Sequence, residues 1–329
     1  MRVLVATNMY PTAREPWFGS FVAEQVDALR EAGVDLDVLS FDGRRSRAAY
    51  ARATRDIRAR VKASSYDLVH AHYGLTGAAA LAQWRAPVVT TFWGSDLGYI
   101  RWQRAISFAV ARMATPVFVT RRGAAQLGLP TAAVVPPSVD TSRFTPRERD
   151  AARARLGWEP DGIVVLLPGG SMNPVKGAEL FARVVARVSE SRPEVRPAYL
   201  EGFTRDEVVD VMNATDVVLM CSVSEGSPVA VKEALACCTP VVSTDVGDVA
   251  ETIVGLPGCA VAERDEAQLA SAVVAALSVG RRSAELRIRA QRYRPAATAE
   301  RLLEVYQEAT GTTRRRGFTA RLSARIPPR

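Results

Sequence analysis

Residues 216–244 read DVVLMCSVSEGSPVAVKEALACCTPVVST. An apolar run (VVLM, 217–220) leads into a polar turn, and a second run (PVVS, 240–243) closes the stretch. Between them, from Pro228 to Cys238, only Lys232 and Glu233 are neither small nor apolar. Strand, helix and strand in this order make a βα repeat, and repeats with continuously apolar strands imply a parallel sheet covered by helices on both faces. The charged residues are the awkward feature. A carboxylate in an apolar helix needs hydrogen-bond donors or a cation, and a second carboxylate, Glu225, stands in the turn just before it.

The same alternation extends through the 329-residue chain. RVLVAT (2–7), VDLDVLSF (34–41), DLVHAH (67–72), PVVTTF (87–92), PVFVT (116–120) and AAVVPP (132–137) read as strands of a first half. Its helices fall at 18–33, where Phe18, Phe21, Val22, Val26 and Leu29 keep helical spacing before Gly33, in the basic stretch 44–62, and near 75–84. GIVVLL (162–167), AYLEG (198–202), DVVLMCS (216–222) and PVVST (240–244) give a second half, with a helix at 177–189 and a long helical pattern from about 265 to 309. PPSVDTSRFTPRE (136–148) breaks the pattern between them. The fold class is therefore α/β, with two parallel sheets. Ligands of such sheets bind beyond the carboxyl ends of the strands, and two facing sheets would hold one in a central cleft.

Composition narrows the function. Hydrophobic residues make up 48% and charged residues 24%, an ordinary globular balance, and no apolar run approaches the roughly 20 residues of a membrane span. The N-terminus has no signal-peptide layout, and Cys221, Cys237, Cys238 and Cys259 show no metal-ligand spacing, so a reducing, cytoplasmic setting is expected. The net charge of +8 is concentrated in 44–62, with eight cations and one acid, and in the tail 312–329, with six arginines and no acid. These patches read either as a solvated helix face with a disordered tail or as contacts for an anionic membrane surface. With no recognised module beside them, nucleic acid is not expected as a partner.

Two strand-end segments carry the chemistry. Ser227 suits a helix cap and Pro228 the first helical position, so the backbone N–H groups from Gly226 to Val229 form an anion-receptive helix start. Glu233, inside that helix, can accept both hydroxyl protons of a ribose. This combination suits a sugar nucleotide, with Glu225 on the transferred sugar; the alternative is an exposed Glu233 and a Glu225 that only complements the helix dipole. PGGSMNPVKG (168–177) is the second segment. Gly169 and Gly170 let backbone approach a ligand, and Lys176 is either a phosphate-binding charge or a surface lysine. His70 and His72, the two histidines of the chain, share one face of a strand end and read as acceptor contacts or as core. Trp17, Phe18 and Phe21 read as helix-entry core or, beside the basic helix, as a membrane foot. Asp35 and Asp37 alternate on a strand rather than forming a metal site, and no metal or cofactor is expected.

SEGSPVAVKEALACCTPVVSTDVGDVAE (224–251) resembles the signature of the retaining family-four glycosyltransferases, two glutamates separated by seven residues, in the style of teichuronic-acid-type polysaccharide enzymes. TNMYPTAREPWFGSFVAEQVDALREAG (7–33), DLVHAHYG (67–74), TTFWGSDL (90–97), VVPPSVDTSRF (134–144), NPVKG (173–177) and FTRDEVVDVMNATDVVLMCS (203–222) each resemble a family segment, in order. The resemblance implies the GT-B fold of two Rossmann-like domains: an acceptor domain over 1–141, rejoined by a closing helix at 296–311, and a donor domain over 142–295, followed by the basic tail. It implies a nucleotide-diphospho-sugar donor, with Lys176 on the diphosphate, Glu225 on the donor sugar and Glu233 on the ribose. Gly169, Gly170, Gly226, Ser227, Pro228 and Val229 would complete the donor site, and Gly19, His70, His72, Trp93 and Asp96 would line the cleft.

The implied reaction is retaining and metal-free, with Glu225 and Lys176 as catalytic residues and a glycan, a lipid-linked molecule or a small molecule as acceptor. The setting is cytoplasmic, with peripheral contact at the membrane face. The chain departs from the family pattern in three places. No arginine occurs from 162 to 182, Trp93 replaces the usual histidine, and VRPAYLEGF (195–203) supplies one strand where many relatives have two. A GT-B-fold epimerase and a non-catalytic sugar-nucleotide binder are the rival readings. The epimerase would need acid–base groups from Asp96 and the histidine pair; the missing arginine favours the binder.

Overall fold

A computed structural model describes residues 1–15, 18–44, 46–98, 100–280 and 283–312. The chain divides into two compact units, Met1–Pro136 with the chain from Pro295 onward, and Pro137–Arg294. The basic tail beyond residue 312 and Trp17 lie outside the described residues.

The first unit runs β1 (Arg2–Thr7), α1 (Ser20–Glu31), β2 (Asp35–Ser40), α2 (Arg47–Ala63), β3 (Leu68–His72), α3 (Gly74–Leu81), β4 (Val88–Phe92), α4 (Arg101–Met113), β5 (Thr115–Phe118), α5 (Arg121–Gln126) and β6 (Ala133–Val134). The second runs α6 (Arg149–Leu156), β7 (Ile163–Leu167), α7 (Ala178–Ser189), β8 (Val195–Tyr199), α8 (Arg205–Ala214), β9 (Val217–Met220), α9 (Val229–Ala236), β10 (Val241–Thr244), α10 (Val249–Ile253), β11 (Ala260–Ala262), α11 (Glu266–Val279) and α12 (Ala284–Ala290). The closing helix α13 (Pro295–Ala309) belongs to the first unit.

Both sheets are parallel, as the apolar strand runs require. In β1, Val3 and Val5 pack on one face with α1 and α13, whereas Leu4 and Ala6 pack on the other with α2 and α3. β9 divides in the same way: Val218 and Met220 meet α8, α9 and α10, and Val217 and Leu219 meet α7 and α11. Cys221, Cys237 and Cys238 are buried in these cores.

Two expectations shift. The strand read at 198–202 lies at 195–199, where the exposed Arg196 and Pro197 hide it from an apolar search. β8 is the edge strand of its sheet, the position that tolerates proline. The long pattern from 265 to 309 is three helices, interrupted at Gly280, with φ of 77°, and at Pro295.

The strand orders fix where ligands go. The first sheet, β2-β1-β3-β4-β5-β6, reverses direction between β1 and β3; the second, β11-β10-β9-β7-β8, reverses between β7 and β9. Such reversals open a crevice at the carboxyl ends of the strands. In the first unit α13 seals one sheet face, with Leu302, Val305 and Tyr306 in the core. The Tyr306 hydroxyl lies 2.6 Å from His70 Nδ1, and both side chains are buried. Tyr306→Phe leaves a buried imidazole nitrogen unsatisfied and is expected to cost about 1–3 kcal/mol in urea unfolding.

Candidate functional site

At the reversal of the second sheet, the loop after β7 and the turn after β9 bring Lys176 and Glu225 together. Lys176 Nζ donates to Glu225 Oε1 at 2.7 Å, and Ser222 Oγ donates to the same oxygen at 2.8 Å. Gly169 packs against the lysine stem, where a Cβ would meet Lys176 Cγ at 2.7 Å. Gly170 lies beside Glu201, whose carboxylate accepts from the Ser171 backbone and hydroxyl. The turn carrying Glu225 and Gly226 rests on Gly247, where φ is 57° and a Cβ would fall 2.0 Å from Gly226 O. Only glycine fits there.

Glu233 is buried in α9, and Arg205 Nη1 donates to its Oε1. The Arg205 guanidinium also lies 4.8 Å from the Phe144 ring centroid. Arg205 opens α8 directly after a capping box in which Thr204 and Glu207 satisfy each other's backbone N–H. This cation is separate from the stretch 162–182 that lacks arginine. The Thr204-x-x-Glu207 pattern marks the start of α8 in the sequence but not the partner of Arg205.

Lys232, the second charge of α9, is fully buried. Its Nζ donates to Asp248 Oδ2 at 3.0 Å and to Ser227 Oγ at 2.8 Å, and lies 5.0 Å from the Tyr293 ring centroid. Burial pulls its amine below the usual range, and Asp248 opposes that shift. The sequence reading places Ser227 at the helix cap and Pro228 at the first helical position. In the structure Pro228 is the cap residue, with no side-chain cap bond, and Ser227 Oγ donates to Asp248 Oδ2 at 2.6 Å. The ion pair draws the hydroxyl away from the helix start. Val229 is the first helical residue.

The first unit holds the other predicted residues. Gly19 caps α1 with φ of 74°, and a Cβ there would fall 2.4 Å from Met9 C. His70 is not exposed: Thr91 Oγ1 lies 2.8 Å from its Nε2, and Tyr306 takes the other nitrogen. Both His70 ring nitrogens are engaged within the core, as the second of its two readings has it. Burial lowers it to about 3, and lowers His72 well below its ordinary value, with His70 adding to the effect. Trp93 Nε1 donates to His72 Nδ1 at 3.3 Å, and Trp93 packs against Phe21 with centroids 4.4 Å apart.

Asp96 is also buried, and it organises its loop. It accepts from the backbone N–H of Gly74 at 3.1 Å, Trp93 at 3.1 Å and Gly94 at 3.0 Å. Burial raises it to about 6, against those donors. Asp35 and Asp37 pair with Arg2, and Asp37 also accepts from Tyr66. Arg44 lies over the Phe18 ring. Among the described residues, no group of three or more His, Cys, Asp or Glu could hold a metal ion, and no helix is long and apolar enough to cross a membrane.

Two doubly wound parallel sheets, one per unit, with charged groups gathered at the reversal of the second, define the GT-B class of proteins. The chain belongs to glycosyltransferase family four. Residues 18–143 match the model "Glycosyltransferase Family 4" and residues 163–278 match "Glycosyl transferases group 1". The D-inositol 3-phosphate glycosyltransferase of Acidothermus cellulolyticus is 27% identical over 79% of this chain and 71% of its own length. Its counterpart in Stackebrandtia nassauensis is 30% identical over 54% of this chain and 48% of its own length. Among solved structures, Anabaena HepE in complex with UDP superposes with a TM-score of 0.69 at 15% identity, covering 94% of this chain and 100% of that one. A glycosyltransferase from Rickettsia africae gives 0.72 at 12%, covering 94% and 98%.

Two outcomes follow from the buried charges. Asp248→Ala strands Lys232 and is expected to cost about 3–5 kcal/mol in urea unfolding, most of it recovered in the double variant with Lys232→Met. The second concerns pH. Histidines held low in the folded state contribute stability that is present above 6.5 and lost as pH falls. Asp96, held high, works in the opposite sense from 3.8 up to about 6. Between these values the unfolded chain binds about one proton more, so stability should fall by about 1.4 kcal/mol per pH unit on acidification. Asp96→Asn should steepen the slope to about 2.7 kcal/mol per pH unit, read from urea unfolding across pH.

Proposed function

We propose that this chain moves a sugar from a nucleotide-diphospho-sugar to an acceptor hydroxyl, with retention of anomeric configuration and without a metal. The observation that carries the reading is the meeting of Lys176 and Glu225 where the second sheet reverses, with buried Glu233 in the helix that follows. The likeness to a protein solved with UDP, and also with UDP and glucose, supports a nucleotide-sugar donor.

In this reading Lys176 exchanges Glu225 for the donor diphosphate, and Glu225 turns to the hydroxyls of the donor sugar. Gly226 and the start of α9 present backbone to the phosphates, and Glu233 receives the ribose diol in place of, or beside, Arg205. The bond from the anomeric carbon to the diphosphate oxygen breaks while the acceptor oxygen bonds to the same face. The acceptor proton passes to the departing diphosphate oxygen, and Lys176 stabilises the charge that develops there. No protein base is required, which agrees with the internal hydrogen bonds of His70 and Asp96. Those same bonds leave the epimerase alternative without its acid–base pair.

UDP, GDP, ADP and dTDP should be tested for stabilisation of wild type and of Glu233→Ala. One nucleotide at about 100 times its dissociation constant is expected to add about 2.7 kcal/mol to wild type and much less to the variant. Lys176→Ala should lower the transfer rate about 10²–10³-fold with the fold retained. Unchanged turnover in that variant, or an inverted product by NMR, would remove the mechanism.

A further inference from the structure

Two adjacent cysteines follow the last residue of α9, at the end of the helix remote from the Glu225 turn. Both line a cavity of about 650 Å³ in the second unit, together with Arg147, Glu148, Arg287 and Gln291. The Cys238 N–H donates to Leu235 O at 3.0 Å and the Thr239 N–H to Ala234 O at 2.8 Å, the paired bonds of a Schellman cap. In that cap the residue at Cys238 takes the left-handed conformation, here with φ of 58°, and glycine is its usual occupant. A thiol stands at this position against the backbone preference.

The surroundings separate this pair from the other two thiols. Burial pushes Cys221 up to about 12 and Cys259 up to about 11, and Cys259 Sγ also accepts from the Val241 N–H at 3.3 Å. A thiol held that high carries little thiolate at neutral pH and attacks slowly. Cys237 and Cys238 instead share their cavity with two guanidinium groups and one carboxylate. Arg147 is paired with Asp210, whereas Arg287 donates to the backbone carbonyls of Thr141, Phe144 and Ala236 and so keeps its formal charge. A cation near a thiol favours the reactive thiolate. Cys237 is 1% exposed and Cys238 5%, which makes Cys238 the more accessible of the two.

We infer that Cys238 is a reversible modification site for a low-molecular-weight disulfide, one half of which stays in the cavity as a mixed disulfide and loosens the end of α9. The Cys238 thiol loses its proton, and the thiolate attacks one sulfur of the disulfide. A bond from Cys238 Sγ to that sulfur forms as the bond between the two reagent sulfurs breaks. The second half leaves as a thiolate and takes up the proton, so the protein sulfur is oxidised and the departing sulfur reduced. Neighbouring Cα atoms lie only about 3.8 Å apart, short of the roughly 4.4–6.8 Å of an unstrained bridge, so Cys237 does not readily displace the adduct. An external thiol reverses the step. The volume lies within the roughly 300–1,000 Å³ typical of ligand sites.

Arg287 carries the consequence to the helix. By holding Ala236 O at 2.8 Å and Phe144 O at 3.0 Å, it ties the last turn of α9 to the segment before α6. Phe144 lies beside Arg205, the partner of Glu233, and Glu233 O accepts the Cys237 N–H at 3.1 Å. An adduct in the cavity competes with Arg287 for space and releases that tie. The effect on nucleotide binding rests on the transferase reading; the adduct itself does not.

The test treats the folded full chain with oxidised glutathione, counts adducts by intact mass and places them by peptide mapping. Wild type is expected to gain a single glutathionyl group, on Cys238, and to lose it to dithiothreitol. The modified chain should bind UDP about tenfold more weakly than the reduced chain. Cys238→Gly suits the left-handed backbone and so folds. It should take up no group and bind UDP as reduced wild type does, whether or not oxidised glutathione is present. Cys237→Ser should still be modified. Equal uptake by Cys238→Gly, or uptake only after urea has unfolded the chain, overturns the site. An adduct on Cys238 that changes neither the UDP affinity nor the urea midpoint overturns the link to α9. Failure of the reduced chain to bind UDP counts against the donor reading alone, and the link is then decided by the urea midpoint, which should be lower in the modified chain.

Discussion

Lys232 and Glu233 are adjacent charges on a buried helix, and successive side chains of an α-helix point about 100° apart. One partner therefore cannot serve both. Lys232 reaches Asp248 at the start of α10, and Glu233 reaches Arg205 at the start of α8. Helix α9 is thereby pinned on two sides, and the turn from Glu225 to Pro228 enters it in a fixed frame. A buried ion pair adds little net stability over a well-packed apolar pair. What it adds here is position: Ser227, drawn into the Lys232–Asp248 pair, ties the turn to the loop whose Gly247 lies against Gly226 O.

Much of the fold was legible because its strands are buried on both faces. β1, β3, β7, β9 and β10 read as apolar runs, and a run of that kind admits few other interpretations in a βα repeat. β8 was displaced in the reading because an edge strand is freed from that constraint and carries Arg196 and Pro197. Helix α4 escaped for a related reason. In RWQRAISFAVARM, Trp102, Ile106, Val110 and Met113 keep helical spacing, but three arginines and the exposure of Trp102, Phe108 and Met113 make the helix a surface one rather than a core one.

The site was legible in its chemistry and not in its pairings. Glu233 could be singled out as a charge in an apolar helix, and Glu225 and Lys176 as charges beside glycines at strand ends. Arg205 and Asp248 could not, since they lie 28 and 16 positions from their partners and look like ordinary helix-end residues. Of the two readings of the histidines, the core one has a reason visible in DLVHAH. A strand buried on both faces makes any polar residue on it a core residue, and Thr91 and Tyr306 complete His70 accordingly. The same burial explains Asp96, which spends its acceptor capacity on three backbone N–H groups.

The two units share a strand order in which the first strand of each sheet sits beside the second and the third, so each has one reversal. They use it differently. In the second unit charged side chains meet at the reversal and pair with one another. In the first unit the polar groups next to the reversal, His70 and Asp96, are buried and bonded internally. A cavity near that reversal, over α3, is lined by small residues such as Ala51 and Ala78 and also by Arg44, Tyr50, Tyr73 and Gln103. A site of paired charges selects a ligand by charge, because each group released from its partner must find another.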